Sequence, residues 1–159
     1  MFKHVLVAID GSAYSQAALP TAIEVAKKFG ADLFVVHVTE HDRGRATVYS
    51  IESPAEATKL VVDAVKTARE SGIAAKSEVF DVAAGHVAKA IIETAGANEV
   101  DLIVMGSRGL SDVQGLLLGS VTHKVIQLAQ VPVLVARGPL PVTAKAEQPA
   151  KAGMAFATT

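Results

Sequence analysis

Cysteine is absent from this chain, and so is tryptophan. The first absence removes a disulfide framework, a thiolate metal site and thiol chemistry together. Aromatic residues make up only 4% while hydrophobic residues make up 50%, so a core has to be assembled from Val, Ile, Leu and Ala. Such a core suits a parallel sheet covered on both faces, whose strands read as unbroken aliphatic runs. Neither sign of charge is in surplus: 15 basic and 16 acidic residues leave −1. That balance gives no footing on nucleic acid or an anionic membrane. Arg43 and Arg45 in HDRGR are too few for a nucleic-acid footprint and lack interleaved aromatics. Long apolar runs are missing as well. The opening MFKHVLVAID falls short of a signal peptide's apolar length and has no cleavage site, and no later run approaches a membrane span. The expectation is a soluble, cytoplasmic protein with no nucleic-acid or membrane partner.

What the chain does have is alternation. At 159 residues it is long enough for one domain with a core of its own. Aliphatic runs stand at 4–9 (HVLVAI), 32–38 (DLFVVHV), 74–80 (AAKSEVF), 101–106 (DLIVMG) and 131–136 (VPVLVA). Between them, apolar residues recur at helical spacing. The stripes are Ala18, Ala22, Ala26 and Phe29 in 13–29; Ala57, Val61, Ala64, Val65 and Ala68 in 55–71; and Val87, Ala88, Ile91, Ile92 and Ala95 in 85–95. Gly30 and Gly72 follow two of these segments, where left-handed helix ends favour glycine. Strand and helix in turn predict βαβ units: a doubly wound parallel α/β sheet with helices on both faces. Pro20 predicts a kink in the first helix or a later start for it. Pro132 predicts an edge strand at the end of the sheet, where Val133–Val135 would need a cover such as a second subunit. Residues 39–53 read as a long connection without a period. Residues 1–137 make up the domain, and 138–159 read as a poorly ordered tail.

In an open parallel sheet, ligands bind beyond the carboxyl ends of the strands, at the point where strand order reverses. Asp10-Gly11-Ser12 follows the first run, Asp81 the third and Arg137 the fifth. After the fourth comes GSRGLSDVQGLLLGS, with glycine at 106, 109, 115 and 119, leading into the helical pattern SVTHKVIQLAQ. Glycine at such a place marks a close approach by backbone, and a helix N-terminus offers unpaired N–H groups to an anion. A phosphate or nucleotide site is therefore predicted here. Blander readings stand beside it: glycine turns and close packing, Ser120 as a plain helix cap, Asp10-Gly11 as a turn capped by Ser12, and Arg108 as an exposed arginine. A Walker A loop is excluded because Ser120, not Lys, follows Gly119, and GxGxxG is absent.

The spacing Gly106-x2-Gly109-x9-Gly119-Ser120 resembles the G-2x-G-9x-G-[S/T] signature of the ATP-binding branch of the universal stress protein family. VLVAIDGS, VVHV, MGSRG and GSV…VPVLV extend the likeness over residues 3–136. The resemblance implies a five-stranded sheet of order 3-2-1-4-5, with the Asp10 and Gly106 strand ends as neighbours. It implies an adenine nucleotide, ATP with Mg2+ or Mn2+, and a homodimer through the last strand. Asp10 would face ribose or phosphate and help hold the cation, and the Val38 backbone would meet the adenine edge. Met105, Gly106, Arg108 and Gly109 would line ribose and phosphates, with Gly119, Ser120, Val121 and Thr122 around the phosphate chain. The function implied is ATP-dependent regulation in stress response, with slow hydrolysis at most and no dedicated catalytic residue.

Two other classes compete. A dimeric interaction module of the same fold would need no nucleotide. A phosphorylatable receiver domain would need clustered acids, but Asp10 lacks an acidic neighbour and Arg137 stands where a lysine is required. His37 reads as a packed or partly exposed strand residue and His123 as a surface one, while His41 and His86 lack partners at metal-ligand spacing.

Overall fold

The computed structural model describes residues 1–43, 48–50, 52–110 and 118–138. The elements are β1 (His4–Ala8), α1 (Ala13–Phe29), β2 (Asp32–Arg43), β3 (Val48–Ser50), α2 (Pro54–Glu70), β4 (Ala75–Ala83), α3 (Val87–Ala97), β5 (Leu102–Gly106), α4 (Ser120–Leu128) and β6 (Val133–Ala136). Five strands are parallel, in the spatial order β4-β2-β1-β5-β6. Counted among the parallel strands alone, that is the order 3-2-1-4-5. The hydrophobic strands predicted from the aliphatic runs are all present, and among the described residues β6 pairs only with β5, in keeping with the edge strand expected from Pro132.

The sheet divides two cores. Val5, Val7, Leu33, Val35 and Val104 face α1 and α2, whose buried stripes are Ala18, Ala22 and Ala26, and Ala57, Val61, Ala64, Val65 and Ala68. Leu6, Phe34, Val36, Ile103 and Met105 face α3 and α4. Alternate residues of β1, β2 and β5 thus enter opposite cores, which is why the buried stretches of these inner strands are aliphatic. Alanine predominates on the buried faces of α1 and α2 and allows close approach to the sheet. Each fully buried Val or Leu contributes roughly 1.5–3 kcal/mol.

Several boundaries differ from expectation. The connection 39–53 is partly strand: β2 runs on to Arg43, and β3 returns beside it, pairing Asp42 with Tyr49 in antiparallel register. β4 likewise reaches Ala83, and α3 starts at Val87, not at 85. Pro20 does not delay α1, which begins at Ala13 behind its Ser12 cap and continues to Phe29. Pro20 lies on the exposed side of the helix. Phe29, placed on the buried stripe by spacing, is 40% exposed and packs edge-on against Phe2 instead. Gly30 ends α1 at φ 66°, in the left-handed region. Gly138 is buried against the Tyr14 ring, so the chain stays packed one residue past 137. The rest of the tail, 139–159, lies outside the described residues, as do Gly115 and its neighbours from 111 to 117.

Candidate functional site

The chain crosses over at β1: β2 lies to one side of it and β5 to the other. At that reversal, beyond the carboxyl ends of the strands, is a cavity of about 420 Å³. All ten residues singled out from the sequence line it: Asp10, Val38, Met105, Gly106, Arg108, Gly109, Gly119, Ser120, Val121 and Thr122. Ile9, His37, Glu40, Glu52, Val87, Ile91 and Leu110, which were not singled out for this site, also border it.

One end of the cavity is built from backbone. The Ser107 N–H donates to the Ala136 carbonyl (2.9 Å), and the Ser107 carbonyl accepts from the Gly119 N–H (2.8 Å). The buried Thr122 hydroxyl donates to the Gly106 carbonyl at 2.9 Å. The start of α4 is thereby tied to the end of β5 at two points. Gly119, not Ser120, is the N-cap of α4, and among the described residues no side chain caps this helix. Ser120 is the first helical residue and its side chain is exposed. The N–H groups of Ser120, Val121 and Thr122 have no acceptor within the helix, so the positive end of α4 opens on the cavity.

Asp10 holds the other side of this loop. One carboxylate oxygen accepts from the Ser12 N–H and the other from the Leu110 N–H, both at 3.0 Å. Arg108 lies with its guanidinium 5.3 Å from the centre of the Tyr14 ring. For these glycines the close-packing reading has a basis within the protein itself. A β-carbon on Gly106 would lie 2.8 Å from the Tyr14 carbonyl carbon, and one on Gly109 would lie 2.6 Å from Asp10 Oδ2. On Gly119 it would meet the Arg108 Cα at 3.3 Å. The close approach these glycines allow is therefore of the protein to itself, with the amides as the cavity's lining.

The far end is apolar with one polar strip. Along β2 the backbone groups point alternately to either side of the strand. The Leu33 N–H bonds to Ala74 ahead of β4, while the Val36 carbonyl accepts from Ile9 next to β1. Val38 therefore faces the β1 side after β1 has ended, and β3 pairs with β2 only from His41 onward. Its N–H and C=O point into the gap between them, one donor and one acceptor. Ile9, Val87, Ile91 and Met105 provide apolar walls around it.

His37 is 2% exposed. Its Nδ1 lies 2.8 Å from the Ile9 carbonyl and its Nε2 lies 2.6 Å from Glu52 Oε2. Sequence reading placed His37 as a packed residue but gave no role to Glu52, whose only local signal is its place ahead of the Ser53–Glu56 capping box. His41 is bound to Asp81, as its Nδ1 lies 2.9 Å from Oδ2. That contact, followed by the Thr39 hydroxyl, holds the Asp81 carboxyl below its usual value. Among the described residues, no three His, Asp or Glu side chains gather in a metal-binding cluster, and no helix is long and apolar enough to cross a membrane.

Comparison with known proteins agrees with this architecture. Residues 1–137 match the universal stress protein family. Universal stress protein YxiE of Bacillus subtilis is 36% identical over 156 residues, covering 86% of this chain and 100% of YxiE. The solved structure of the protein MJ0577 superposes with a TM-score of 0.73 at 26% identity, covering 89% of this chain and 99% of that one. The Archaeoglobus fulgidus universal stress protein in complex with dAMP gives 0.65 at 25% identity, over 85% and 98% of the two chains. By sequence and by fold together, this chain belongs to the universal stress protein family.

Proposed function

We propose that the cavity binds an adenine nucleotide, ATP with a divalent cation, and that the chain acts as a nucleotide-dependent regulatory homodimer in stress response. The observation that carries this reading is the pairing, across one cavity, of two backbone sets that lack a partner among the described residues. The amides opening α4 suit phosphate oxygens, and the Val38 N–H and C=O suit the acceptor and donor on one edge of an adenine ring. The apolar walls between them suit the faces of a base. The dAMP found in the Archaeoglobus relative is a ligand of that chemistry.

Asp10 is the acid on hand for a cation. Each of its oxygens already accepts one backbone N–H and keeps a lone pair. One carboxylate suits Mg2+ that arrives on phosphates and keeps several waters. Mg2+ or Mn2+ held there would offset phosphate charge, while Asp10 itself keeps the loop closed through Leu110. Binding is the role assigned to these residues; turnover, where it occurs, is slow. The second subunit pairs along β6, whose outer edge is free among the described residues and which packs against α4, the helix that carries the exposed Ile126 and Leu128. A sedimentation mass of one chain at micromolar concentration would remove the dimer.

One observation favours the second reading, an interaction module without nucleotide: protein atoms account for Gly106, Gly109 and Gly119 with no ligand present. Calorimetric titration with ATP and Mg2+ separates the two. A Kd below about 1 mM, lost in Gly119→Leu while the dimer persists, supports the nucleotide site. No heat of binding up to that concentration leaves the interaction module. Mass spectrometry of any small molecule retained on gentle purification identifies the nucleotide.

A further inference from the structure

His37 and Glu52 form a contact that the nucleotide reading does not use. We propose that it is a proton-dependent strap: it holds the segment leading into α2 against the floor of the cavity, and it closes only when the pair carries one shared proton.

The inference follows from hydrogen-bond chemistry. The Ile9 carbonyl can only accept, so the Nδ1 facing it at 2.8 Å must carry a hydrogen. A neutral ring with its hydrogen on Nδ1 has only a lone pair on Nε2. Glu52 Oε2 stands 2.6 Å from that nitrogen, and an ionised carboxylate is also only an acceptor. Two lone pairs cannot face each other at that distance. The contact therefore holds either imidazolium with carboxylate or imidazole with carboxylic acid. Both forms contain one proton more than the separated neutral ring and ionised acid.

The position gives this proton a consequence. His37 is fixed in β2, with its ring on the α1–α2 side of the sheet. Glu52 lies just ahead of the Ser53 cap of α2 and lines the cavity together with His37. Loss of this contact loosens one wall. Among the described residues, the other charged or titratable groups around the cavity do not provide the missing hydrogen. Asp10 from β1 is occupied by two backbone N–H groups, and Glu40 on β2 accepts from the Gly85 N–H ahead of α3. Arg108, after β5, lies over Tyr14 of α1. The Glu56 carboxylate of α2 accepts from the Ser53 N–H and hydroxyl, and His41 is engaged by Asp81 of β4. On the α1 side, Ser15 donates its hydroxyl to the Ser12 carbonyl.

The sign follows. The closed strap binds one proton more than the open one, so closing is favoured as pH falls through the range where the open pair would release that proton. Where the ligand-free strap is open, a ligand that fits the closed cavity takes up a proton on binding, and its affinity there falls as pH rises, by up to about tenfold per pH unit for one linked proton.

The test has two arms. The first uses the ligand-free protein with isotope-labelled histidine and follows the His37 ring nitrogens by NMR between about pH 5 and about pH 9, across the ordinary histidine range. The strap predicts a hydrogen on both ring nitrogens, or a hydrogen on Nδ1 with an un-ionised Glu52. Glu52→Gln donates its own amide hydrogen to a neutral Nε2, so it closes the strap without the extra proton. A ring that is neutral with its hydrogen on Nδ1 beside an ionised Glu52, in the native contact, overturns the proposal. The second arm rests on the nucleotide reading and measures ATP affinity over the same range. Wild type is expected to lose affinity with rising pH, Glu52→Gln to lose that dependence while keeping affinity, and Glu52→Ala to bind more weakly throughout. Parallel pH profiles in wild type and Glu52→Gln overturn the coupling. Absence of ATP binding in every variant would count against the nucleotide reading alone, because the first arm decides the strap without ligand.

Discussion

Gly106→Ala tests what the glycine signature does in the absence of any ligand. The new β-carbon would stand 2.8 Å from the Tyr14 carbonyl carbon, 2.9 Å from its Cβ and 2.9 Å from its carbonyl oxygen. Those atoms belong to the first turn of α1, so relief requires moving helix or strand, not a rotamer. Overpacking of this kind costs about 1–3 kcal/mol. Against it stands a gain of about 0.4–1 kcal/mol, because alanine restricts the unfolded chain and the φ at 106 is not positive. The expected net loss is about 1–2 kcal/mol, or roughly 2–8 °C in Tm for a chain of this size. Gly96→Ala is the matched control. Gly96 lies in α3 with nothing within 4 Å of its would-be β-carbon, so it should gain roughly 0.5–1 kcal/mol. Calorimetry and urea unfolding of ligand-free protein measure both. If Gly106→Ala is neutral or stabilising like its control, the packing account of the signature is wrong.

Two further outcomes follow from the same loop and its surroundings. Thr122→Val keeps the side-chain shape but leaves the Gly106 carbonyl without its buried donor, so the urea midpoint should fall by the equivalent of about 1–3 kcal/mol, with Thr122→Ser retaining most of the stability. For Asp81, held below its usual 3.8 first by His41 and then by Thr39, carboxyl NMR should show titration below that value and an upward return in His41→Ala. Because the folded value is depressed, the stability from this group is complete above 3.8 and is lost as pH falls through the lower folded value.

The parts of this molecule that could be read in advance are those where one residue type decides the outcome. Aliphatic runs buried on both faces can only be central strands, and the α2 stripe from Ala57 to Ala68 is buried at every predicted position. β3 was illegible because three residues, Val48–Ser50, carry no period, and their pairing is set by the extension of β2. Glu52 was illegible because its partner His37 lies 15 residues away across that same excursion. Phe29 was misplaced because helical spacing cannot report that a stripe runs past the edge of the sheet onto Phe2. Ser120 and Gly119 are both good caps, and a one-residue shift in the start of α4 exchanged their roles.

That exchange bears on how the site works. A side-chain cap at the head of α4 would have satisfied the amides that a phosphate needs. Gly119 provides the cap geometry, φ −71° and ψ 160°, with no side-chain acceptor, so the orphan donors stay available. The bonds from Gly119 to Ser107 and from Thr122 to Gly106 meanwhile fix their direction. Donors oriented before a ligand arrives need no reorganisation when it does, which is where affinity for an anion is most readily gained. Glycines that let a loop pack against itself and the proposed phosphate site at the helix end are therefore not rival explanations of the motif. The first supplies the rigidity on which the second depends.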